Sequence, residues 1–204
     1  GADNIVVVTI TGTLSGSYNS AEIAKKIYLE EHPDTKIHVI DSLSAGGEVD
    51  LIVRKLNHLV AEGLDFDQVV DGITAYQAKT KLLFVLAKVD NLVKNGRLSK
   101  LVGTVVGLLN IRMVGEASKT GTLELLQKAR GQKKAIKAAF DELIKAGYAG
   151  GHITIAHRNN EKFIEQFSEV VREKFAQASI EVLPTSGLCS FYAEEGGLLM
   201  GYEI

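Results

Sequence analysis

Hydroxyl side chains alternate with other residues along a short stretch near the start of the sequence. In TITGTLSGSYNSA, residues 9–21, five hydroxyl side chains occupy alternate positions, with Gly12 and Gly16 among them: Thr9, Thr11, Thr13, Ser15 and Ser17. The stretch follows an apolar run and precedes a helical pattern, which predicts the carboxyl end of a strand entering a helix. Free backbone N–H groups and the positive end of a helix dipole favour anions at such a place. We therefore expect an anion site there, with helix capping by Ser15 or Ser17 as the alternative.

Other familiar catalytic and metal patterns are not found in the sequence. The segment GTLSGS has neither a P-loop lysine nor the third glycine of a dinucleotide-binding fingerprint. No G-x-S-x-G elbow surrounds Ser15, which disfavours a serine hydrolase. The histidines form no i, i+4 pair, and Cys189 is the single cysteine. We therefore expect neither a metal site nor a cofactor.

Two basic clusters also invite a functional interpretation. In KNGRLSK, residues 94–100, a helix C-cap explains Lys94 and Gly96 but does not require Arg97. In KARGQKK, residues 128–134, cations open a predicted helix, where they oppose the helix dipole. The unfavourable charge at this position hints at a partner or an anion near Arg130.

Composition limits the class of protein. The chain has 204 residues, 46% hydrophobic content and a net charge of −2. This balance is typical of a soluble protein and offers no basic surface for nucleic acid and no polybasic membrane patch. No apolar run approaches the ~20 residues of a membrane span, and a single cysteine suits a reducing compartment. We expect a cytoplasmic protein whose first segment is missing, since the sequence enters a strand almost at once without an initiator methionine.

The first part of the chain predicts alternating strands and helices. A strand over residues 4–11 precedes a helix from Ser17, and a second strand over 37–41 precedes two helices that meet near Gly63 and Asp65. This alternation is typical of a parallel sheet. The first helix is expected to bury one face, formed by Ala21, Ala24, Ile27 and Tyr28.

After Lys81 the pattern predicts an α+β arrangement with a mixed sheet. A strand and a short helix ending at Gly96 precede a helix or helical turn within 97–110. A β-hairpin with its turn at Lys119-Thr120-Gly121 follows. The remaining pattern predicts a helix over 132–146, the strand HITIAH, a helix near 160–176 and the strands SIEVLP and GGLLMGYE.

Four segments, in this order and spacing, resemble the DegV family of bacterial fatty-acid-binding proteins: TITGTLSGSYNSA, VIDSLSAGG, FVLAKVDNLVKNGRLSKLVGTVVGLLNIR and KARGQKKAI. The resemblance implies an α/β fold in which residues 1–80 are the remainder of a Rossmann-like parallel-sheet domain. Residues 81–204 would form an α+β domain with a mixed sheet. On this comparison the chain lacks roughly the first 80 residues of a family member.

The resemblance also implies a function. Proteins of this family hold a fatty acid in an apolar tunnel between two domains while a separate kinase subunit phosphorylates its carboxylate. We therefore expect a lipid-binding protein that is not an enzyme and needs no cofactor. Its expected partners are a fatty acid, the ATP-binding subunit of a fatty-acid kinase and, transiently, a membrane surface, but no nucleic acid.

Individual residues are assigned by the same resemblance. The family's paired serines in SS-x-LSG fall on Thr11 and Gly12, so only one hydroxyl is kept. With Ser15 and Tyr192, these residues form the predicted ligand-binding set. Tyr192 enters because the family's C-terminal H-x-G-x-G histidine has no counterpart here. Arg97 and Arg130 match family arginines associated with docking to the kinase or the membrane.

Two other hypotheses stay open at this point. A hydroxyl-rich loop at a helix N-terminus also suits a phosphoryl-transfer enzyme of a related fold, although the sequence shows no acidic cluster arranged for Mg²⁺. Alternatively, the chain is a fragment that folds but no longer binds a ligand.

Overall fold

The computed structural model describes residues 2–98 and 110–204. Within these ranges the strands are β1 (Asn4–Thr9), β2 (Lys36–Asp41), β3 (Thr80–Leu86), β4 (Ile111–Ala117), β5 (Leu123–Arg130), β6 (His152–His157), β7 (Ser179–Pro184) and β8 (Leu198–Glu203). The helices are α1 (Ser17–Glu31), α2 (Gly47–Ala61), α3 (Phe66–Gln77), α4 (Asp90–Lys94), α5 (Gln132–Lys145), α6 (Glu161–Lys174) and α7 (Gly187–Ala193). The predicted helix or turn within 97–110 lies almost entirely outside the described residues.

The first two strands form a parallel sheet, as predicted. β1 and β2 pair in register from Asn4 opposite Lys36 to Thr9 opposite Asp41. The β-branched run of β1 suits a pleated strand, but the strand ends at Thr9, before the predicted residue 11. Helices α2 and α3 pack beside this sheet around a small apolar core of Ile40, Ile52, Leu59, Val69 and Ile73.

Helix α1 begins at Ser17 as predicted, but the prediction that one of its faces is buried is wrong. None of its residues is buried, and Ile27 is 61% exposed. The helix packs against β1 and β2, and a sheet two strands wide covers only a narrow part of its surface. Apolar spacing alone therefore overstated the burial of this helix.

The second sheet is mixed and has the strand order β5-β4-β3-β8-β6-β7. β6 and β7 are parallel, whereas the other neighbours are antiparallel. Side chains alternate between its two faces: Leu83 and Val85 join the core that includes α5 and α6, whereas Phe84 and Leu86 join a second cluster. The fold class predicted from the sequence, a parallel-sheet part followed by an α+β part with a mixed sheet, is confirmed.

Two glycines allow α2 to lie directly on the six-stranded sheet. A Cβ on Gly47 would come within 2.2 Å of the Thr154 carbonyl oxygen, and a Cβ on Gly201 within 2.3 Å of the Glu48 Cα. Side chains at either position would separate the helix from β8. Helix α2 therefore contacts both sheets and fixes the loops before it against β8.

Helix α7 was not predicted. It has seven residues, too few to show a helical repeat of apolar positions. The Asn91 side-chain amide donates to the Phe191 carbonyl at 2.8 Å, and Arg158 Nη1 donates to the Ser190 carbonyl at 2.9 Å. These contacts hold α7 to α4 and to the loop after β6, and residues of the helix line both of the cavities described below.

Candidate functional site

An apolar cavity of about 390 Å³ lies on the Phe84 and Leu86 face of the six-stranded sheet. Aliphatic and aromatic side chains provide most of its wall. The lining residues are Ile10, Leu14, Ser15, Ala45, Phe84, Leu86, Leu92, Arg97, Leu123, Ser186, Gly187, Leu188, Cys189, Tyr192, Ala193 and Leu199. The volume and the apolar wall are typical of a small-molecule site.

Hydrogen bonds join the strand-end loops that form one side of the cavity. The Thr11 N–H donates to the Ser44 carbonyl at 2.8 Å, linking the loops after β1 and β2. Thr13 Oγ1 donates to the Gly121 carbonyl at 2.7 Å, linking the first loop to the tip of the β4–β5 hairpin. Gly121 has φ +79°, and a Cβ there would lie 2.1 Å from Thr11 Oγ1. Only glycine fits this contact.

The donor groups at the end of β1 are already hydrogen-bonded to acceptors within the protein. The Gly12 N–H lies 3.2 Å from both carboxylate oxygens of Asp41. Thr11 is fully buried, and its Oγ1 bonds to the Thr13 hydroxyl at 3.0 Å and accepts from the Thr13 N–H at 3.3 Å. Neither Thr11 nor Gly12 is part of the cavity lining, so their predicted contacts with a ligand carboxylate remain predictions.

Ser15 lines the cavity and also shapes the turn into α1. Its Oγ accepts a hydrogen bond from the Ser17 N–H at 3.2 Å. The N-cap residue of the helix is Gly16, and no side chain caps it. The prediction that Ser15 or Ser17 is the N-cap residue of α1 is therefore wrong. Ser15 nevertheless accepts a hydrogen bond from a backbone N–H of the first turn.

Arg97 and Tyr192 lie together on the cavity wall. Arg97 Nε donates to the Leu14 carbonyl at 3.2 Å, and its guanidinium carbon is 5.9 Å from the centre of the Tyr192 ring. Gly96, with φ +70°, turns the chain so that Arg97 follows α4 back towards the loop after β1. The structure thus brings Arg97 beside Ser15 and Tyr192, an arrangement that the docking interpretation did not include.

Arg130 lies elsewhere, exposed at the end of β5. Helix α5 begins two residues later, with no acidic residue in its first turn and Gly131 as its N-cap residue. The cations of this segment therefore oppose the helix dipole, as the sequence indicated. Arg130 is available on the surface, away from the cavity lining.

Apart from Tyr192, sequence reasoning missed the cavity residues that α7 contributes, because this helix was not predicted. Cys189 is one of them, and burial raises the pKa of its thiol. A neutral thiol suits an apolar wall. Leu188, which lines the cavity and is 60% exposed, and Phe191, which is 45% exposed, leave apolar surface on the same short helix.

Neither a metal-binding cluster nor a membrane-spanning helix is found within residues 2–98 and 110–204. In these ranges, no group of three or more His, Cys, Asp and Glu side chains is placed to hold a metal ion. Nor does any helix described there combine the length and the apolar character needed to cross a membrane.

Known proteins closely resemble this chain in sequence. The family model for "Uncharacterised protein, DegV family" matches residues 1–202. A DegV domain-containing protein of Streptococcus pneumoniae is 78% identical over 204 residues, which are 100% of this chain and 73% of that protein.

Solved structures extend the comparison. The crystal structure of the Streptococcus pneumoniae Fatty Acid Kinase (Fak) B3 protein loaded with linoleic acid matches with a TM-score of 0.97 and 78% identity, covering 100% of this chain and 73% of that one. A DegV family protein from Eubacterium eligens loaded with heptadecanoic acid matches with a TM-score of 0.95 and 40% identity, covering 99% and 73%. The chain therefore belongs to the DegV family.

Proposed function

We propose that this chain binds the hydrocarbon tail of a long-chain fatty acid in the apolar cavity and presents the carboxylate to a separate kinase. The observation that carries the proposal is a wall that is largely apolar and that, among the residues the structure describes, includes one cation, Arg97, next to Ser15 and Tyr192. Each methylene buried there contributes ~0.8 kcal/mol. The fatty acids bound by the Streptococcus and Eubacterium proteins support this assignment.

We place the carboxylate of the fatty acid beside Arg97, at the part of the cavity wall that also includes Ser15 and Tyr192. The Asp41 carboxylate already occupies the Gly12 N–H, and a second negative charge beside it would be repelled. Arg97 offers a compensating charge, and the hydroxyls of Ser15 and Tyr192 offer neutral donors. Thr11 and Gly12 do not bind the carboxylate in this proposal. Their hydrogen bonds fix the loop that carries Ser15.

We assign the chain the role of a cytoplasmic carrier rather than of an enzyme. Residues 1–80 and 81–204 then form two units, and the cavity takes residues from both. The name of the Streptococcus protein supports a fatty-acid kinase as the partner. We assign the exposed Arg130 to docking of that kinase or, transiently, of a membrane surface, because its charge lies outside the cavity.

Cavity filling provides the test of fatty-acid binding. Ala45 lines the cavity, whereas Ala75 is exposed on α3. We expect linoleic acid to bind the delipidated protein saturably, and Ala45→Phe to weaken this binding by at least about tenfold, since the ring removes space for several methylenes. The control Ala75→Phe should leave the affinity unchanged. A protein that binds no fatty acid would instead support the fragment hypothesis.

Presentation to a kinase is tested separately. With a fatty-acid kinase ATP-binding subunit, ATP and linoleic acid, the protein should support formation of acyl phosphate. Arg130→Gln should slow this reaction while leaving the affinity for linoleic acid unchanged. Acyl phosphate formed from ATP by this protein alone would contradict the carrier role.

A further inference from the structure

A second, polar cavity lies on the other side of α7, at the carboxyl ends of the parallel strands β6 and β7. Its volume is about 400 Å³, and it is lined by His157, Arg158, Asn159, Glu161, Pro184, Thr185 and Ser190. None of these residues lines the apolar cavity. The fatty-acid function proposed above therefore leaves this cavity without a role.

His157 supplies a buried donor without a partner. The residue is 8% exposed, and its Nδ1 accepts a hydrogen bond from the Asn160 N–H at 3.2 Å. A neutral imidazole that accepts at Nδ1 carries its proton at Nε2. None of the hydrogen bonds among the described residues involves His157 Nε2. This nitrogen is also not one of the unpaired polar atoms that are completely shielded from solvent. Since the residue lines the cavity, its Nε2–H is left to donate there.

Arg158 adds a positive charge held in place by its backbone. Its N–H donates to the Gly197 carbonyl and its carbonyl accepts from the Gly196 N–H, both at 2.9 Å. In the side chain, Nη1 bonds to the Ser190 carbonyl, while Nε lies 3.7 Å from a carboxylate oxygen of Glu195. A guanidinium has five donor hydrogens, so several are left for a ligand.

Hydroxyl and backbone donors complete the wall. Thr185 Oγ1 and Ser190 Oγ share one hydrogen bond of 2.8 Å, so one of the two hydroxyl protons is unused by the pair. Helix α6 starts beside the cavity, and its N-cap residue Asn160 makes no side-chain cap. Uncapped N–H groups and the helix dipole favour an anion at this end.

Glu161 limits which anion fits. Its carboxylate lines the same cavity and would repel an oxyanion that only accepts hydrogen bonds. Hydrogen phosphate, in contrast, has a P–OH group that can donate to a carboxylate, whereas sulfate at neutral pH has no proton to donate. One acceptor among several donors therefore selects phosphate over sulfate.

We propose that the polar cavity formed by His157, Arg158, Thr185, Ser190 and Glu161 is a binding site for hydrogen phosphate. Arg158, the His157 Nε2–H and one hydroxyl donate to the phosphate oxygens, while Glu161 accepts from its P–OH group. The site is separate from the fatty-acid cavity, so this proposal stands or falls independently of the one above.

Calorimetric titration of the purified protein with inorganic phosphate at pH 7 and constant ionic strength tests the site. We expect saturable binding of phosphate, and sulfate binding weaker by at least about tenfold. Arg158→Gln should weaken phosphate binding by at least about tenfold. The control Arg172→Gln removes an exposed arginine from the last turn of α6 and should bind phosphate as the original protein does.

Two further variants check the roles of the buried ring and the carboxylate. His157→Phe should weaken phosphate binding while His157→Gln, which keeps a donor, weakens it less. Glu161→Gln should reduce the preference for phosphate over sulfate. Absence of saturable phosphate binding, equal affinity for the two anions, or equal losses in Arg158→Gln and Arg172→Gln would each overturn the proposal. Thermal melting without phosphate shows whether each variant is folded.

Discussion

Within the described residues, two parallel strand pairs end in the same way, with a polar loop that enters a helix, but their donors differ. After β1, the Gly12 N–H bonds to the Asp41 carboxylate and the Thr11 hydroxyl bonds to Thr13. After β6, His157 Nε2 has no described partner, and Arg158 keeps donors beside a polar cavity. The loop with more hydroxyls thus supports an apolar site, and the loop with fewer supports a polar one.

The comparison shows that the number of donors in a strand-end loop does not by itself tell how many of them are left for a ligand. What decides is whether the fold supplies acceptors for those donors. Asp41 is 29 positions from Gly12 and becomes its neighbour only because β1 and β2 are parallel and in register. The following predictions test the two loops against each other, from the largest expected effect to the smallest.

Gly121→Ala should produce the largest effect, through the first loop. A Cβ at this position would meet Thr11 Oγ1 at 2.1 Å, and the residue has φ +79°. We expect the free energy of unfolding to fall by about 2–4 kcal/mol, from the backbone strain and the clash together. Urea denaturation measures the change.

Gly63→Ala is the matched control for this variant. Gly63 has φ +75°, with nothing within 4 Å of its Cβ position, so only the backbone strain of ~1 kcal/mol is expected. Equal losses of stability in the two variants would contradict a tightly packed contact between the hairpin tip and the first loop.

Replacing each of the two cavity arginines in turn should show that the two cavities bind their ligands independently. Arg97→Gln should weaken linoleic acid binding by about tenfold, because it removes the charge on the apolar cavity wall, and should leave phosphate binding unchanged. Arg158→Gln should do the opposite. Titration of each variant with each ligand gives the comparison, and Arg130→Gln should change neither affinity. A variant that loses both ligands while remaining folded would show that the cavities are not independent.

The pH dependence of stability should reveal the buried carboxyl group of Glu48, where the start of α2 lies on the six-stranded sheet. Burial raises the pKa of Glu48 above 4.5, although its carboxylate accepts a hydrogen bond from Thr80 Oγ1 at 2.8 Å. The folded state therefore keeps this proton to a higher pH than the unfolded state does. Stability should fall as the pH rises above 4.5 towards the folded-state pKa, by at most ~1.4 kcal/mol per pH unit.

Glu48→Gln should remove this dependence, since the amide oxygen can still accept from Thr80. The difference in unfolding free energy between the variant and the original protein should increase over the same pH range. Glu31→Gln, which replaces an exposed glutamate on α1, is the control. The same pH slope in both differences would contradict the assignment to Glu48.

The sequence predicted the elements that have local signals. Helix α3 begins with the capping box of Asp65 and Gln68, and the hairpin turn at Lys119-Thr120-Gly121 is confirmed. Helix α7 has no comparable signal, because seven residues starting with Gly187 do not show a helical repeat. Because the helix was not predicted, the cavity residues that it carries besides Tyr192 were missed.

The candidate site was harder to predict than the fold because its contacts join distant positions. Ser15 and Tyr192 both lie on the cavity wall, but their contact with a ligand remains a prediction. Arg97 is brought there by the turn at Gly96 and by its bond to Leu14, 83 positions away. No local pattern in KNGRLSK distinguishes such an arginine from a surface one.

A crystal structure with a long-chain fatty acid brominated at its terminal carbon tests the central claim most directly. We predict anomalous bromine density inside the cavity lined by Phe84, Leu123 and Leu199, with the carboxylate within hydrogen-bond distance of Arg97. Bromine density outside this cavity, or a carboxylate bound at Arg158 instead, would contradict the account.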